Sequence, residues 1–194
     1  ITISKKPWDY KGLDHKDAHK IDTVFTVRNA LAISSNIAMA KIITRGFDGS
    51  AKKFVQSIEK LGVCDSIRSE IPGAHQNKIL IPNDEATIAK MSYGYFVEMT
   101  PMNILMFYNA IANGGKMVRP YIVKEIRKQG DVIETFDTEV IQSSICSRST
   151  LRDIKSALHD VVWDNALGTA SVSKWGNKKA QSKLVSIAGK TGTA

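Results

Sequence analysis

The chain has 194 residues, enough for one domain or most of one and enough to bury a sizeable core. With 43% hydrophobic and 24% charged residues it has the balance of a globular protein, and no run of 18 apolar residues offers a membrane span. Two cysteines, Cys64 and Cys146, are too few for a metal set or a disulfide framework and are expected as free thiols, while the net charge of +8 permits an anionic partner without choosing one.

Residues 1–25 read as polar and irregular. His15 and His19 are four apart, the spacing of a metal pair on a helix, but no third His or Cys ligand lies nearby and both are expected on the solvated surface. Thr26 is placed to cap a short helix, TVRNALAIS, with Val27, Ala30 and Leu31 on one face. A second helix follows the tripeptide Ser34-Ser35-Asn36, turns Ile37, Ala40 and Ile43 or Thr44 inward, and ends at Gly46. A third runs from about Ser50 to Leu61 and stops at Gly62. Residues 63–84, with Pro72, Gly73 and Pro82, read as a long surface loop.

A short helix over EATIAKMSYG closes at Gly94. The clearest helix follows: Thr100 is its cap, Pro101 its first residue, Ile104, Leu105, Tyr108 and Ile111 its apolar face, and Asn113-Gly114-Gly115 its end. KMVRPYIVKEIRK and VIETFD read as the arms of a hairpin turning at Gly130-Asp131. STLRDIKSALHDVVW is another helix, with Leu151, Ile154, Leu158 and Val161 inward. KWGNKKAQSK clusters Lys174, Lys178, Lys179 and Lys183 and reads as a solvated loop. LVSIAGKTGTA begins as a strand with Val185 and Ile187 on one side, and its sheet partners are expected outside residues 1–194. Both ends of the sequence read as cuts within something longer, since Ile1 is neither an initiator Met nor the start of a signal peptide.

Two short motifs carry chemistry. Gly189-Lys190-Thr191 matches the second half of a phosphate loop, but the first glycine of that motif falls at Leu184, so the backbone cannot wrap a phosphate. As a strand, the same run lets a ligand backbone lie against Gly189 and Gly192, with the Lys190 charge and the Thr191 and Thr193 hydroxyls beside it. That suits a peptide-like ligand ending in an anionic group; a structural Gly-rich turn is the other reading. Ser34 and Asn36 sit in a break between two helices, where they either cap a helix or expose a hydroxyl and an amide at one point.

Ser34-x-Asn36 followed by Lys190-Thr191-Gly192 is the S-x-N, K-T-G order of serine β-lactamases and penicillin-binding proteins. With TVRNALAISSNIAMAKI, SYGYFVEMTPMNILMFYNAIANGGKMVRPYIV and LGTAS…VSIAGKTGTA in series, residues 22–194 resemble the transpeptidase domain of class B penicillin-binding proteins, and SYGY resembles the division type. The resemblance implies an α/β (α+β) transpeptidase fold, here a mostly helical partial domain over 1–194 with a hairpin and an incomplete sheet. It implies a serine acyl-enzyme D,D-transpeptidase acting on D-alanyl-D-alanine stem peptides and acylated by β-lactams, at the periplasmic face of the inner membrane with cell-division proteins as partners. No cofactor, metal or nucleic acid is implied.

By resemblance Ser34 relays a proton, Asn36 bonds the lysine of the nucleophile motif and the substrate amide, Lys190 supplies positive charge and bonds Ser34, Thr191 and Thr193 hold the substrate's terminal carboxylate, and Gly192 belongs to the same substrate-binding run. The sequence departs from the family pattern in lacking S-x-x-K before Ser34. Ser50, Ser57 and Ser171 have lysine at the right spacing but follow Ser34, so the nucleophile is expected upstream of Ile1 and the fragment alone is expected to be inert. A non-catalytic division scaffold and a β-lactamase-like hydrolase are the alternative readings.

Overall fold

The computed structural model describes residues 1–3, 6–17, 23–67, 77–81, 86–171 and 179–192. In chain order these form β1 (Thr2–Ile3), β2 (Trp8–Tyr10), β3 (Leu13–His15), β4 (Thr23–Val24), α1 (Val27–Ala32), α2 (Asn36–Gly46), α3 (Ala51–Lys60) and β5 (Lys78–Ile79). They continue with α4 (Thr87–Met91), β6 (Val97–Glu98), α5 (Pro101–Ala112), β7 (Met117–Val118), β8 (Glu125–Lys128), β9 (Asp131–Thr135), β10 (Val140–Gln142) and α6 (Arg148–Trp163). The architecture is α+β, with helices beside two-stranded antiparallel pairs: β1 with β4, β2 with β3, β5 with β6, β7 with β10 and β8 with β9. Among the described residues no helix is long and apolar enough to cross a membrane.

Two compact units divide the chain, one of Ile1–Phe54, Leu80–Phe96 and Arg152–Ala194, the other of Val55–Ile79 and Val97–Leu151. In the first unit, α2 packs on α4. Ala38 and Ala40 of α2 and Ala89 of α4 are fully buried, so small side chains let the two helices approach, while Ile37 and Ile88 fill the remaining volume. Phe25, Ala30, Ile33, Ile37 and Ala38 form a core against which Trp8 and Leu167 pack. Val27, expected to share the apolar face of α1 with Ala30 and Leu31, is exposed, while Ala30 and Ala32 are buried.

His15 is a correction to the sequence reading. It is fully buried rather than solvated, with its ring 5.5 Å from that of Trp8 and edge-on to Tyr93, whose hydroxyl lies 2.7 Å from Nδ1. His19 lies outside the described residues. Burial, reinforced by the Lys90 charge, holds the His15 pKa below its ordinary 6.5, outweighing the upward pull of Asp14 and Asp9. A lowered folded pKa means that the unfolded chain binds the proton more readily. Stability conferred by neutral His15 is therefore complete above 6.5 and declines as pH falls from there towards the lowered value. Urea midpoints measured from pH 8 to pH 5 should drop in the wild type and drop less in His15→Phe; parallel profiles would refute the assignment.

In the second unit, α5 is capped by Thr100, whose Oγ1 accepts from Asn103 N at 3.2 Å. Its buried face is Asn103, Met106, Ala110 and Ile111, whereas Ile104, Leu105 and Tyr108, expected inside, are exposed. Asn103 sets this rotation: its Nδ2 donates to the backbone carbonyls of Val63 and Asp65 at 3.0 and 2.9 Å. Two hydrogen bonds on one buried amide fix the helix face more firmly than an apolar stripe able to rotate towards solvent.

The hairpin is confined to β8 and β9, turning at Gln129-Gly130, where both residues have positive φ, one residue before the expected turn. Met117 and Val118 pair instead with β10, and Pro120, lacking an N–H, follows close on that short strand. Of the loop expected over 63–84, residues 68–76 and 82–84 lie outside the described residues, and the rest contains β5, paired with β6. Both cysteines are free.

Candidate active site

The break between α1 and α2 begins with backbone geometry. Ser34 takes φ 57, a left-handed conformation that costs a non-glycine residue on the order of 1–3 kcal/mol and that recurs at functional sites. Its N–H donates to Leu31 O at 3.1 Å and that of Ser35 to Ala30 O at 3.0 Å, closing α1. Ser35 is the buried N-cap of α2: its Oγ accepts from Ala38 N at 3.0 Å and donates to Asp17 at 2.6 Å. The middle serine is thus committed to structure, while Ser34 and Asn36 on either side keep half-buried side chains. Asn36 Nδ2 makes one long contact, 3.4 Å to Lys16 O.

Lys190 meets this break. Its Nζ donates to Ser34 Oγ at 2.6 Å, to Thr191 O at 2.9 Å and, more weakly, to Thr191 Oγ1 at 3.3 Å. Three acceptors around one nitrogen match the three N–H donors of an ammonium. No carboxylate pairs with Lys190 among the described residues, and burial lowers its pKa from the ordinary 10.5. The site therefore presents a partly desolvated positive charge, uncompensated by a fixed anion, against a strained serine hydroxyl.

The segment carrying Lys190 is held by contacts other than a sheet. No strand forms among residues 179–192, where the strand's sheet partners are expected outside residues 1–194, and Leu184 and Val185 are exposed. Instead Trp163 Nε1 donates to Ile187 O at 2.8 Å, Gly189 N donates to Leu158 O at 3.1 Å, and the hydroxyls of Thr191 and Thr169 lie 2.9 Å apart. Thr169 N in turn donates to Ala32 O at 3.1 Å, so one short segment touches both the Lys190 run and the end of α1. Gly192 is exposed, and Thr193 lies outside the described residues, as do Lys174 and Lys178 of the basic cluster.

Sequence reasoning missed Asp17. Its two carboxylate oxygens accept from the Ser35 hydroxyl and from Ile37 N at 3.0 Å, adding a second cap to α2 from 18–20 residues upstream. It missed Arg28 and Asp160 as well. Arg28 Nε donates to Asp160 Oδ2 and its Nη2 to Oδ1 at 2.7 Å, a bidentate pair joining α1 to α6 and lowering the Asp160 pKa. Asp17→Ala should cost about 1–2 kcal/mol, the range for losing a helix cap. Asp17→Asn, which keeps an acceptor, should recover part of that loss. Urea denaturation of both variants decides: equal stability of wild type and Asp17→Ala would remove Asp17 from the support of this site.

Of the three serines with lysine at nucleophile spacing, Ser50 Oγ accepts from Lys53 N as a cap to α3, Ser57 lies within α3, and Ser171 Oγ is buried and donates to Asn165 Oδ1 at 2.7 Å. Neither the Ser50 nor the Ser171 hydroxyl is hydrogen-bonded to Ser34 or Lys190.

The profile of the penicillin binding protein transpeptidase domain matches residues 1–194. Penicillin-binding protein PbpB of Mycolicibacterium smegmatis is 27% identical over 174 residues, 88% of this chain and 26% of the relative. Penicillin-binding protein 3 of Bacillus subtilis is 26% identical over 173 residues, 87% of this chain and 23% of the relative. The chain thus spans about a quarter of the length of these curated relatives. Among solved structures, penicillin-binding protein 2X of Streptococcus thermophilus aligns with a TM-score of 0.76 at 18% identity, over 94% of this chain and 27% of that one. Penicillin-binding protein 3 of Mycobacterium tuberculosis in complex with aztreonam aligns with a TM-score of 0.73 at 21% identity, over 88% of this chain and 38% of that one. At these identities the structural likeness carries the fold.

Proposed function

The chain belongs to the family of penicillin-binding-protein transpeptidase domains, and on that premise we propose that the intact protein is a serine D,D-transpeptidase that cross-links peptidoglycan stem peptides. The observation that carries the reading is the 2.6 Å contact from Lys190 Nζ to Ser34 Oγ, formed across 156 residues of sequence. A serine acyl-enzyme forms when a nucleophilic serine attacks the penultimate D-alanyl carbonyl and the last residue leaves as an amine. That amine needs a proton. Ser34, hydrogen-bonded to an ammonium, is suited to deliver one and be reprotonated through Lys190. Lys190 and the Thr191 hydroxyl face the substrate's terminal carboxylate with charge and a donor, and Asn36 offers an amide that donates and accepts.

The attacking serine with its lysine is supplied, in this reading, by chain outside residues 1–194. A role in cell division, supported by relatives named FtsI homologs, and action on the outer face of the cytoplasmic membrane complete the proposal. Labelling of the intact protein with a fluorescent penicillin should give a stable covalent adduct; rapid release of the label would identify a hydrolase, and no labelling would identify a scaffold.

A further inference from the structure

Away from the Ser34 and Lys190 pair, β2, α2 and the start of α3 enclose an open cleft of about 690 Å³, within the range of small-ligand sites. Alternation along β2 puts Trp8 and Tyr10 on one face, their ring centroids 5.3 Å apart and tilted by 32°. Across from them, Lys41 and Arg45 stand one turn apart on α2. Lys41 Nζ lies 5.2 Å from the Trp8 ring centroid and donates to Thr2 O at 2.9 Å, which leaves two of its three N–H donors.

The charge of this cleft is unbalanced. Like charges at i and i+4 of a helix repel, and among the described residues no carboxylate forms an ion pair with Lys41 or Arg45; Asp17 offsets the repulsion at Lys41 only from a distance. Among the described residues lining the cleft the one acid, Asp48, is held by Lys53 at 3.0 Å. The first turn of α3 adds the positive end of a ten-residue helix, with Ser50 on the cleft wall. An anion entering here would relieve repulsion that the fold leaves in place.

The lining also selects the body of the ligand. Among the described residues no aliphatic side chain lines the cleft, so it gives an acyl tail little to pack against. The tilted rings form no parallel-walled slot for a flat base. Aromatic faces, hydroxyls of Ser50 and Tyr10, and adjacent cations together match the apolar face, hydroxyls and acidic substituent of a charged sugar. We propose that this cleft binds an anionic saccharide, independently of the acyl-transfer reading.

The test titrates the intact protein with trigalacturonate, followed by calorimetry and by tryptophan fluorescence, with Trp8→Phe identifying the reporting residue. Saturable binding is expected, weakening with salt and at least tenfold in Arg45→Glu. Arg45 is exposed, so this variant should keep the wild-type circular dichroism and the same penicillin labelling. Cellotriose, a neutral trisaccharide, should not bind, and inorganic phosphate should bind at least tenfold more weakly than trigalacturonate. Equal affinity for cellotriose would deny recognition of charge, equal affinity for phosphate would deny recognition of sugar, and wild-type affinity in Arg45→Glu would remove the cleft from the binding; each overturns the proposal.

Discussion

Replacing Lys190 by methionine is expected to slow penicillin acylation of the intact protein by about 10²–10³-fold, the loss typical of removing one fixed group that stabilises developing charge. The substitution keeps the apolar stem and removes the ammonium that donates to Ser34 Oγ. Its effect on stability should have the opposite tendency. Burial lowers the Lys190 pKa below 10.5, so at neutral pH the folded state holds a charge it disfavours, and that cost is relieved only as pH rises through the lowered value towards 10.5. Lys190→Met should therefore unfold at a urea concentration no lower than the wild type at pH 7. A functional group that costs stability and supports rate is the pattern of an active-site residue rather than of a structural one.

The same charge predicts a pH profile. If the ammonium is the working form, acylation falls on the alkaline side through the lowered Lys190 pKa, below the value of an ordinary lysine. In Lys190→Arg, whose guanidinium stays charged, that alkaline limb should vanish even though the planar group fits the Ser34 contact less well and the rate at neutral pH falls. Stopped-flow acylation with a chromogenic β-lactam from pH 6 to 10 measures both. A Lys190→Met variant that acylates at the wild-type rate, or a wild-type profile still rising through the alkaline range, would remove Lys190 from the proposed chemistry.

How much of this site could be read in advance depends on the range of the forces that make it. The N-caps Thr26 and Thr100 act over three residues, and both were legible. The Ser34 break and the Lys190 run were legible as motifs. Asp17 was not, because it caps α2 from 20 residues away and a cap donated by another segment leaves no local pattern. His15 looked like surface because its neighbours in sequence are charged, whereas its neighbours in space are Trp8 and Tyr93. The rotation of α5 was misread for a similar reason: periodicity counts apolar side chains, and the position that decides the face is the polar Asn103. The end of the chain carries the alternation of a strand at Val185 and Ile187 but forms none, in keeping with sheet partners expected outside residues 1–194, since alternation specifies a strand only where a partner supplies the ladder.

Gly168 carries the largest expected effect on stability. A Cβ there would stand 2.5 Å from Asp160 O and 2.7 Å from both Asp164 O and Val161 O. These are backbone carbonyls at the end of α6 and just beyond it, not flexible side-chain tips, so none can swing aside. Gly168→Ala must displace either the end of the helix or the Gly168 segment, and should cost about 3 kcal/mol, the upper part of the usual range for overpacking. For a chain of this size that is a fall in Tm of roughly 6–12 °C. The displacement should reach the site, because the next residue, Thr169, bonds Ala32 O through its N–H and Thr191 through its hydroxyl. Moving that residue pulls at both sides of the Ser34 and Lys190 contact at once. Thr169→Val separates the two consequences: it removes the hydroxyl contact to Thr191 and leaves the backbone where it is. It should lower Tm little while slowing acylation, whereas Gly168→Ala should do both. Wild-type Tm in Gly168→Ala would show that the end of α6 can give way, and would cut the structural link drawn here from α6 to Lys190.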